Sequence, residues 1–248
     1  MCDNLEMAVS AANRICHDDR NYRLSIDAPA LFPELIAKAL GARGEDMASP
    51  TRLRQELYAR AKAQGFVDPL SGHAPSSEES LSGVLAFFAQ RKKISWEEIP
   101  LYNTTYTKPL MNAAELIDAN GFFLTEYRLL HSTDHGGDIW QGMPADIVHA
   151  NHALTSVVLF ESKLGGKVGY DEHSPETNQF ARQIDYLVNL AKMRSLSVSY
   201  VLLSTEYMLV NGWYRDTLIQ SLSCKDRKDV VDSYVVAWEH IISAKVGD

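Results

Sequence analysis

The chain has 248 residues, of which 46% are hydrophobic and 23% are charged. These values are ordinary for a globular protein that buries a sizeable core, and no apolar run approaches the roughly 18 residues that a membrane span needs. The formal net charge of −8 disfavours binding to nucleic acid through bulk electrostatic attraction, because that attraction comes from lysine and arginine side chains.

The first hundred residues are predicted to be mainly helical. Residues 28–40 carry leucine and isoleucine at helical spacing, and further amphipathic helices are expected at 49–63 and 80–90. Residues 67–77 contain two prolines, a glycine and several serines, so they are expected to form a loop. This segment, 1–107, is expected to serve substrate recognition or oligomerisation.

Basic residues cluster on the predicted helix at 49–63. They are Arg52, Arg54, Arg60 and Lys62. A solvated helix face accounts for them, and a surface that contacts phosphate is the alternative.

From residue 108 the pattern changes to alternating helices and strands. Apolar residues recur at helical spacing from 113 to 130, but Gly121 interrupts them. Either one helix runs through this region, or a helix ends at Gly121 and 122–130 is a strand. Three short strands are then expected at 139–142, 145–150 and 156–164.

The last part of the chain continues the alternation. A helix is predicted at 175–193, where apolar residues lie along one face. Residues 198–203 are almost entirely apolar and β-favouring, which predicts a buried central strand. Residues 213–222 and 235–242 are expected to add helices or an edge strand.

The most informative residues stand at two of the predicted strands. Asp146 follows Pro144 and Ala145 at the start of one strand, and Glu161-Ser162-Lys163 ends the next. Alternate residues of a strand share a face, so Glu161 and Lys163 are expected to point the same way and Ser162 the opposite way. Two carboxylates at one sheet edge can hold a hard cation such as Mg²⁺, and an ammonium group beside them can offset charge on a phosphate.

This arrangement resembles the PD-(D/E)XK nuclease superfamily, which includes restriction-endonuclease-like and RecB-like enzymes. Glu161-Ser162-Lys163 matches the second half of the motif in full, whereas Pro144-Ala145-Asp146 carries an alanine between the proline and the aspartate. The resemblance implies an α/β fold. Its restriction-endonuclease-like core, at 108–248, would be a mixed sheet flanked by helices in the order α-β-β-β-α-β, preceded by the mainly helical segment.

The resemblance also implies an activity, the Mg²⁺-dependent hydrolysis of DNA phosphodiester bonds, with Mn²⁺ as an alternative ion. Asp146 and Glu161 would bind the metal, with the backbone carbonyl of Ser162 as a third ligand. Lys163 would position or activate the attacking water, and Gln183 would support the substrate. Both acids are expected near solvent and outside the packed core.

Two features of the family leave choices open. RecB-like members carry a glutamine with a tyrosine four residues later, but here Gln183 is followed by Tyr186 at three. The subtype therefore stays open. An acid from the first helix of the core often completes such sites, and Glu115 and Glu126 both qualify.

Other interpretations place the chain in different functional classes. One alternative is a non-catalytic member of the same fold that acts as a DNA-binding or protein-interaction module. Metal binding distinguishes that alternative from a nuclease. Alternatively, the Glu-x-Lys is a coincidence in an unrelated α/β interaction protein, and the two acids then lie too far apart to share one ion.

The expected partners and compartment follow from these interpretations. DNA is the expected partner, and a homodimer is expected if both strands are cut, since that commonly needs two active sites. Cys2, Cys16 and Cys224 are scattered, with no zinc-binding or disulfide pattern, which indicates a reducing cytoplasm. The first residues lack the basic start and apolar core of a signal peptide, which favours the same compartment.

Overall fold

The structure, a computed structural model, describes residues 50–69, 71–128, 144–165, 170–171, 174–223 and 225–246. The helix predicted at 28–40, the strand predicted at 139–142 and the three cysteines lie outside these ranges. None of the helices in the described ranges combines the length and the apolar character needed to cross a bilayer.

Helices and strands alternate along most of the described chain. The helices are α1 (Pro50–Ala63), α2 (Glu78–Gln90), α3 (Gln179–Arg194), α4 (Glu206–Val210), α5 (Arg215–Ser221), α6 (Lys225–Lys228) and α7 (Trp238–Ser243). The strands are β1 (Pro100–Tyr102), β2 (Pro109–Asn112), β3 (Phe122–Arg128), β4 (Pro144–Ala150), β5 (Ser156–Ser162), β6 (Tyr170–Asp171), β7 (Ser174–Asn178), β8 (Ser197–Ser204) and β9 (Val231–Ala237). Short 3₁₀ turns lie at Trp96–Glu98 and Ala113–Glu115.

Seven of the strands form one mixed sheet in the order β2-β1-β9-β8-β5-β4-β3. The pairs β5–β8 and β8–β9 are parallel, and the other pairs are antiparallel. The predicted α/β class, with a mixed sheet flanked by helices, is confirmed. The strand predicted at 198–203 is β8, which lies at the centre of the sheet and is buried along almost its whole length.

The described elements contain an α-β-β-β-α-β series, but the helix that opens it is α2, because the helix predicted within 113–130 to open the series does not form. The series runs α2, β3, β4, β5, α3 and β8, with the hairpin of β1 and β2 inserted after α2 and the two-stranded sheet of β6 and β7 inserted before α3. The boundary predicted between residues 107 and 108 falls inside that hairpin. Described residues on both sides of the boundary share one hydrophobic core, because α1 and α2 pack against the sheet.

The open choice at 113–130 is resolved in favour of the strand. Among the described residues 113–128, the helical ones are Ala113–Glu115, which form a 3₁₀ turn, and β3 begins at Phe122. Gly121 explains the change, since a Cβ atom at this position would lie 2.5 Å from the carbonyl oxygen of Ala150 in the partner strand. Only glycine permits so close an approach of two backbones. A further difference concerns 235–237, which belong to the interior strand β9 rather than to an edge strand.

Each face of the central strands packs against a different set of helices. Val201 and Leu203 of β8 join the core under α1, α2 and α7. Tyr200 and Leu202, which alternate with them, join the core under α3, α4 and α5. This two-sided burial explains why β8 is continuously apolar, as is usual for parallel strands covered on both faces.

Two helices begin beside the end of β5, and each has a side-chain cap. Ser77 Oγ accepts a hydrogen bond from the backbone N–H of Ser80 at 3.1 Å at the start of α2. Asn178 Oδ1 accepts one from the N–H of Ala181 at 2.9 Å at the start of α3. These caps satisfy backbone donors that a helix start leaves unpaired. They fix the first turns of both helices next to β4 and β5.

Candidate active site

A cleft with a volume of about 460 Å³ opens at the end of β5. Its lining combines residues from α1, from the start of α2, from β4, from the end of β5 and from the start of α3. Its lining includes four acids, a lysine and a glutamine: Glu78, Glu79, Asp146, Glu161, Lys163 and Gln179. The structure therefore brings together Asp146, Glu161 and Lys163, which were predicted to share one sheet edge.

Glu161 is buried in this cleft, and its carboxylate accepts three hydrogen bonds. Its side chain is 0% exposed, and Oε1 accepts hydrogen bonds from Lys163 Nζ and, at 2.5 Å, from Gln179 Nε2. Gln183 Nε2 donates to Oε2 at 2.7 Å, and the hydroxyl of Tyr200 donates to Gln183 Oε1 at 2.7 Å. Gln183 is itself buried, so its amide positions the carboxylate, while Gln179 lines the cleft. The expectation that Glu161 lies near solvent is wrong, because α3 covers it.

Ser162 points away from Glu161 and Lys163, as strand alternation predicts. Its Oγ accepts a hydrogen bond from Trp238 Nε1 at 3.0 Å on the opposite face of the sheet. Its backbone N–H donates to Asp146 Oδ2 at 2.6 Å. This bond places the half-buried carboxylate of Asp146 directly beside the strand segment that carries Glu161 and Lys163.

Glu78 is a site residue that the sequence analysis missed. It is the first residue of α2, and its Oε1 accepts a hydrogen bond from the backbone N–H of Leu164. Glu78 and Asp146 therefore accept hydrogen bonds from backbone amides only two residues apart, those of Leu164 and Ser162, where the chain leaves β5. The sequence contains one indication of this residue, the run of two serines and two acids at the start of α2. No spacing in the sequence relates that run to β5.

Of the two acids that were considered in its place, the structure describes the side chain of Glu115 alone. Glu115 is exposed, and its Oε1 accepts a hydrogen bond from the N–H of Asn112 at 3.1 Å, so it caps the 3₁₀ turn. Glu126 lies in β3, and its side chain is outside the described part of the protein. Glu115 was an open choice, and it is a surface residue of this 3₁₀ turn, because the helix predicted to present it does not form.

The backbone beyond Glu161 is also held in place. Ser204 Oγ donates to the carbonyl oxygen of Lys163 at 2.6 Å, and the N–H of Gly165 donates to the hydroxyl oxygen of Tyr214 at 2.9 Å. The N–H of Lys163 donates to the carbonyl oxygen of Leu203. These bonds fix the chain direction where the strand leaves the sheet, so the Lys163 side chain starts from a rigid position.

Burial controls the protonation of the acids. It raises the pKa of Glu161 to about 7, with repulsion from Asp146 adding to the effect and Lys163 opposing it. Burial likewise raises the pKa of Asp146 and of Glu78, and Lys163 again opposes the rise. For Lys163 burial acts downward, but attraction to Glu161, Glu78 and Asp146 outweighs it and the pKa is raised. The lysine therefore remains an ammonium ion among three carboxyl groups.

The oxygen-rich lining bears on whether the cleft suits a metal ion. Within the described ranges, no three His, Cys, Asp or Glu side chains are already arranged to hold one. Carboxylate oxygens are nevertheless the ligands that Mg²⁺ takes in proteins, and Asp146, Glu161 and Glu78 offer them in one cleft. The ammonium group of Lys163 is the counter-cation of these carboxyl groups in the structure. A metal ion on Glu161 would have to displace the hydrogen bonds from Lys163 and Gln179 at Oε1 or the hydrogen bond from Gln183 at Oε2.

Comparison of the chain with protein-family models, with curated proteins and with solved structures finds no match. The function of the cleft therefore follows from its geometry and chemistry.

Raising the pH from about 5 to about 8 is expected to lower the free energy of unfolding. The ordinary pKa of a glutamate, 4.5, applies to Glu161 in the unfolded chain, and its pKa in the folded protein is about 7. Between these pH values the folded protein therefore holds the proton more tightly than the unfolded chain does. This contribution to stability is complete below pH 4.5 and is lost as the pH rises through 7. It amounts to about 3 kcal/mol at most. Urea unfolding at both pH values measures it.

Glu161→Gln supplies the comparison for this measurement, because it keeps the side-chain shape and removes the titrating group. The free energy of unfolding of this variant should change less between the two pH values than that of the wild type. An identical pH dependence in both proteins would show that Glu161 titrates at its ordinary pKa in the folded state.

Proposed function

We propose that this protein is a metal-dependent nuclease that hydrolyses DNA phosphodiester bonds on a restriction-endonuclease-like core. The observation that carries the proposal is the convergence of Asp146, Glu161 and Lys163 in one cleft at the end of β5. Two acids and a lysine at the ends of adjacent strands are the groups that phosphodiester hydrolysis needs, since charge must be neutralised and a nucleophile positioned.

The ligands of the proposed Mg²⁺ or Mn²⁺ ion are oxygen atoms of four residues. Asp146 and Glu161 supply carboxylates, Ser162 supplies its backbone carbonyl, and Glu78 takes the place first considered for Glu115 or Glu126. When bound, the divalent ion supplies Lewis-acid polarisation of the scissile phosphate. The positive charge of the ion would also offset the repulsion between the buried carboxylates of Asp146 and Glu161.

Lys163 and the two glutamines have separate tasks in this proposal. The ammonium of Lys163, once released from Glu161, offsets negative charge on the phosphate or orients the attacking water. Gln179 and Gln183 hold the carboxylate of Glu161 from the α3 side, and Tyr200 fixes the amide of Gln183. Gln179, Gln183 and Tyr200 are positioning residues, because their contacts are with Glu161 or with one another.

The second possibility is a non-catalytic member of the same fold that binds DNA or a protein. One observation favours it. Both oxygens of Glu161 already accept hydrogen bonds from nitrogen donors, and its pKa of about 7 leaves the group partly protonated at neutral pH. A carboxyl group in this state is a poor metal ligand unless one of these donors moves.

Metal binding decides between the two possibilities. Calorimetry of the wild-type protein with Mg²⁺ and Mn²⁺ should show binding at millimolar concentration or below. Binding at neutral pH should also release protons, since Glu161 must lose its proton to act as a ligand. Cleavage of a panel of plasmid, duplex and single-stranded DNA should require the same ions. If the protein binds neither ion at millimolar concentration, it is not a metal-dependent nuclease and the non-catalytic possibility stands.

The proposed partner is DNA, and a homodimer would supply two clefts for cutting both strands. Sedimentation of the wild-type protein with and without DNA distinguishes a dimer from a monomer.

A further inference from the structure

One wall of the cleft is formed by α1, which the proposed chemistry does not use. Arg54 and Tyr58 line the cleft from this helix. They are four residues apart, so they lie on the same side of α1, one turn from each other. Leu57 and Ala61 of the same helix are buried in the core, so the helix that presents Arg54 and Tyr58 is anchored to the sheet.

Arg54 lines the cleft together with Tyr58 and Glu78. Its guanidinium acts to lower the pKa of both residues, although burial raises each pKa overall. Lys163 is the other cation among the residues that line the cleft, and its ammonium contacts Glu161. Arg54 is the basic group on this wall that can meet a phosphate from outside.

The size of the cleft limits what can enter it. The cleft has about 460 Å³, and a single nucleotide with its phosphate is small enough to enter it. In an intact duplex the faces of each base are covered by its neighbours, so a base can stack on the ring of Tyr58 only in a strand separated from its complement.

We propose that the cleft takes one strand of nucleic acid at a time, with Arg54 binding a backbone phosphate and the ring of Tyr58 stacking on a neighbouring base. This inference names the substrate class of the proposed nuclease and rests on that function. Guanidinium groups bind phosphate through paired hydrogen bonds, and aromatic rings accept any base by stacking. Four acids in the same lining repel further phosphates, so contact is restricted to the nucleotides at the mouth of the cleft.

Binding of a fluorescent single-stranded oligonucleotide in EDTA tests the inference without cleavage. Arg54→Gln should weaken binding by about tenfold and reduce the slope of log K against log salt by about 0.7, the value for one phosphate contact on a single strand. Tyr58→Leu should weaken binding by about tenfold through loss of stacking, whereas Tyr58→Phe should bind like the wild type. A duplex of the same sequence should bind more weakly than the single strand.

Arg52→Gln is the matched control, because Arg52 is an exposed residue of the same helix that pairs with Glu56 at 2.7 Å and does not line the cleft. It should bind the single strand with wild-type affinity. Equal weakening in Arg52→Gln and Arg54→Gln would overturn the inference, as would preference for the duplex or absence of single-strand binding. Metal-dependent cleavage by the wild type is measured separately, so the proposed nuclease can stand when this inference fails.

Discussion

Asp146→Asn is expected to abolish metal-dependent cleavage, with a loss in kcat/KM on the order of 10³-fold or more. The amide oxygen of the new side chain can still accept the hydrogen bond from the N–H of Ser162, so the strand ends should remain in place. The negative charge that holds the cation is lost. Calorimetry should show weaker Mg²⁺ binding in parallel with the loss of cleavage.

Glu115→Gln is the control for this prediction. Glu115 is exposed and caps a 3₁₀ turn away from the cleft, and the glutamine oxygen can still accept from Asn112. This variant should cleave and bind metal like the wild type. Wild-type cleavage by Asp146→Asn would remove Asp146 from the catalytic site, and equal losses in both variants would point to a general effect of acidic charge.

Lys163→Met is expected to lower the free energy of unfolding by about 3–5 kcal/mol at pH 8, the usual result of leaving a buried charge without its partner. The carboxyl group of Glu161 is 0% exposed, and without the ammonium it would have only amide donors, so it must either stay charged without compensation or take up a proton at a cost in free energy. At pH 5 the loss should be much smaller, because Glu161 can then take up a proton. Urea unfolding at the two pH values measures both quantities.

The same substitution in a Glu161→Gln background separates the pair from other effects of Lys163. With the charge of Glu161 already removed, Lys163→Met should cost less than in the wild type, and the difference is the interaction energy of the pair. An equal cost in both backgrounds would mean that Lys163 stabilises the protein through its packing alone. Cleavage should fall by about 10² to 10³ in Lys163→Met, as for the loss of one transition-state donor.

Local patterns in the sequence determined several features of this protein. The apolar run of β8 predicted a central buried strand, and the spacing of apolar residues predicted α1, α2 and α3 to within a few residues. Strand alternation placed Glu161 and Lys163 on one face and Ser162 on the other. These features are local, because a strand has a two-residue period and a helix a period of 3.6 residues wherever it lies in the fold.

Other features were decided by contacts between distant parts of the chain. Gly121 and Ala150 lie twenty-nine residues apart, and their close approach selects a strand at 122–128 where apolar spacing also suited a helix. Glu78 joins the site only because α2 packs on the sheet and meets Leu164, eighty-six residues later.

Burial of the acids was likewise invisible in the local pattern. The sequence by itself determined which residues carry carboxylates and the ammonium and which side of β5 they occupy. Only the tertiary structure decided that α3 covers Glu161 with two glutamine amides and that its pKa rises to about 7. The physical reason is that desolvation depends on what surrounds a group in space, and neighbours in space are set by packing rather than by spacing along the chain.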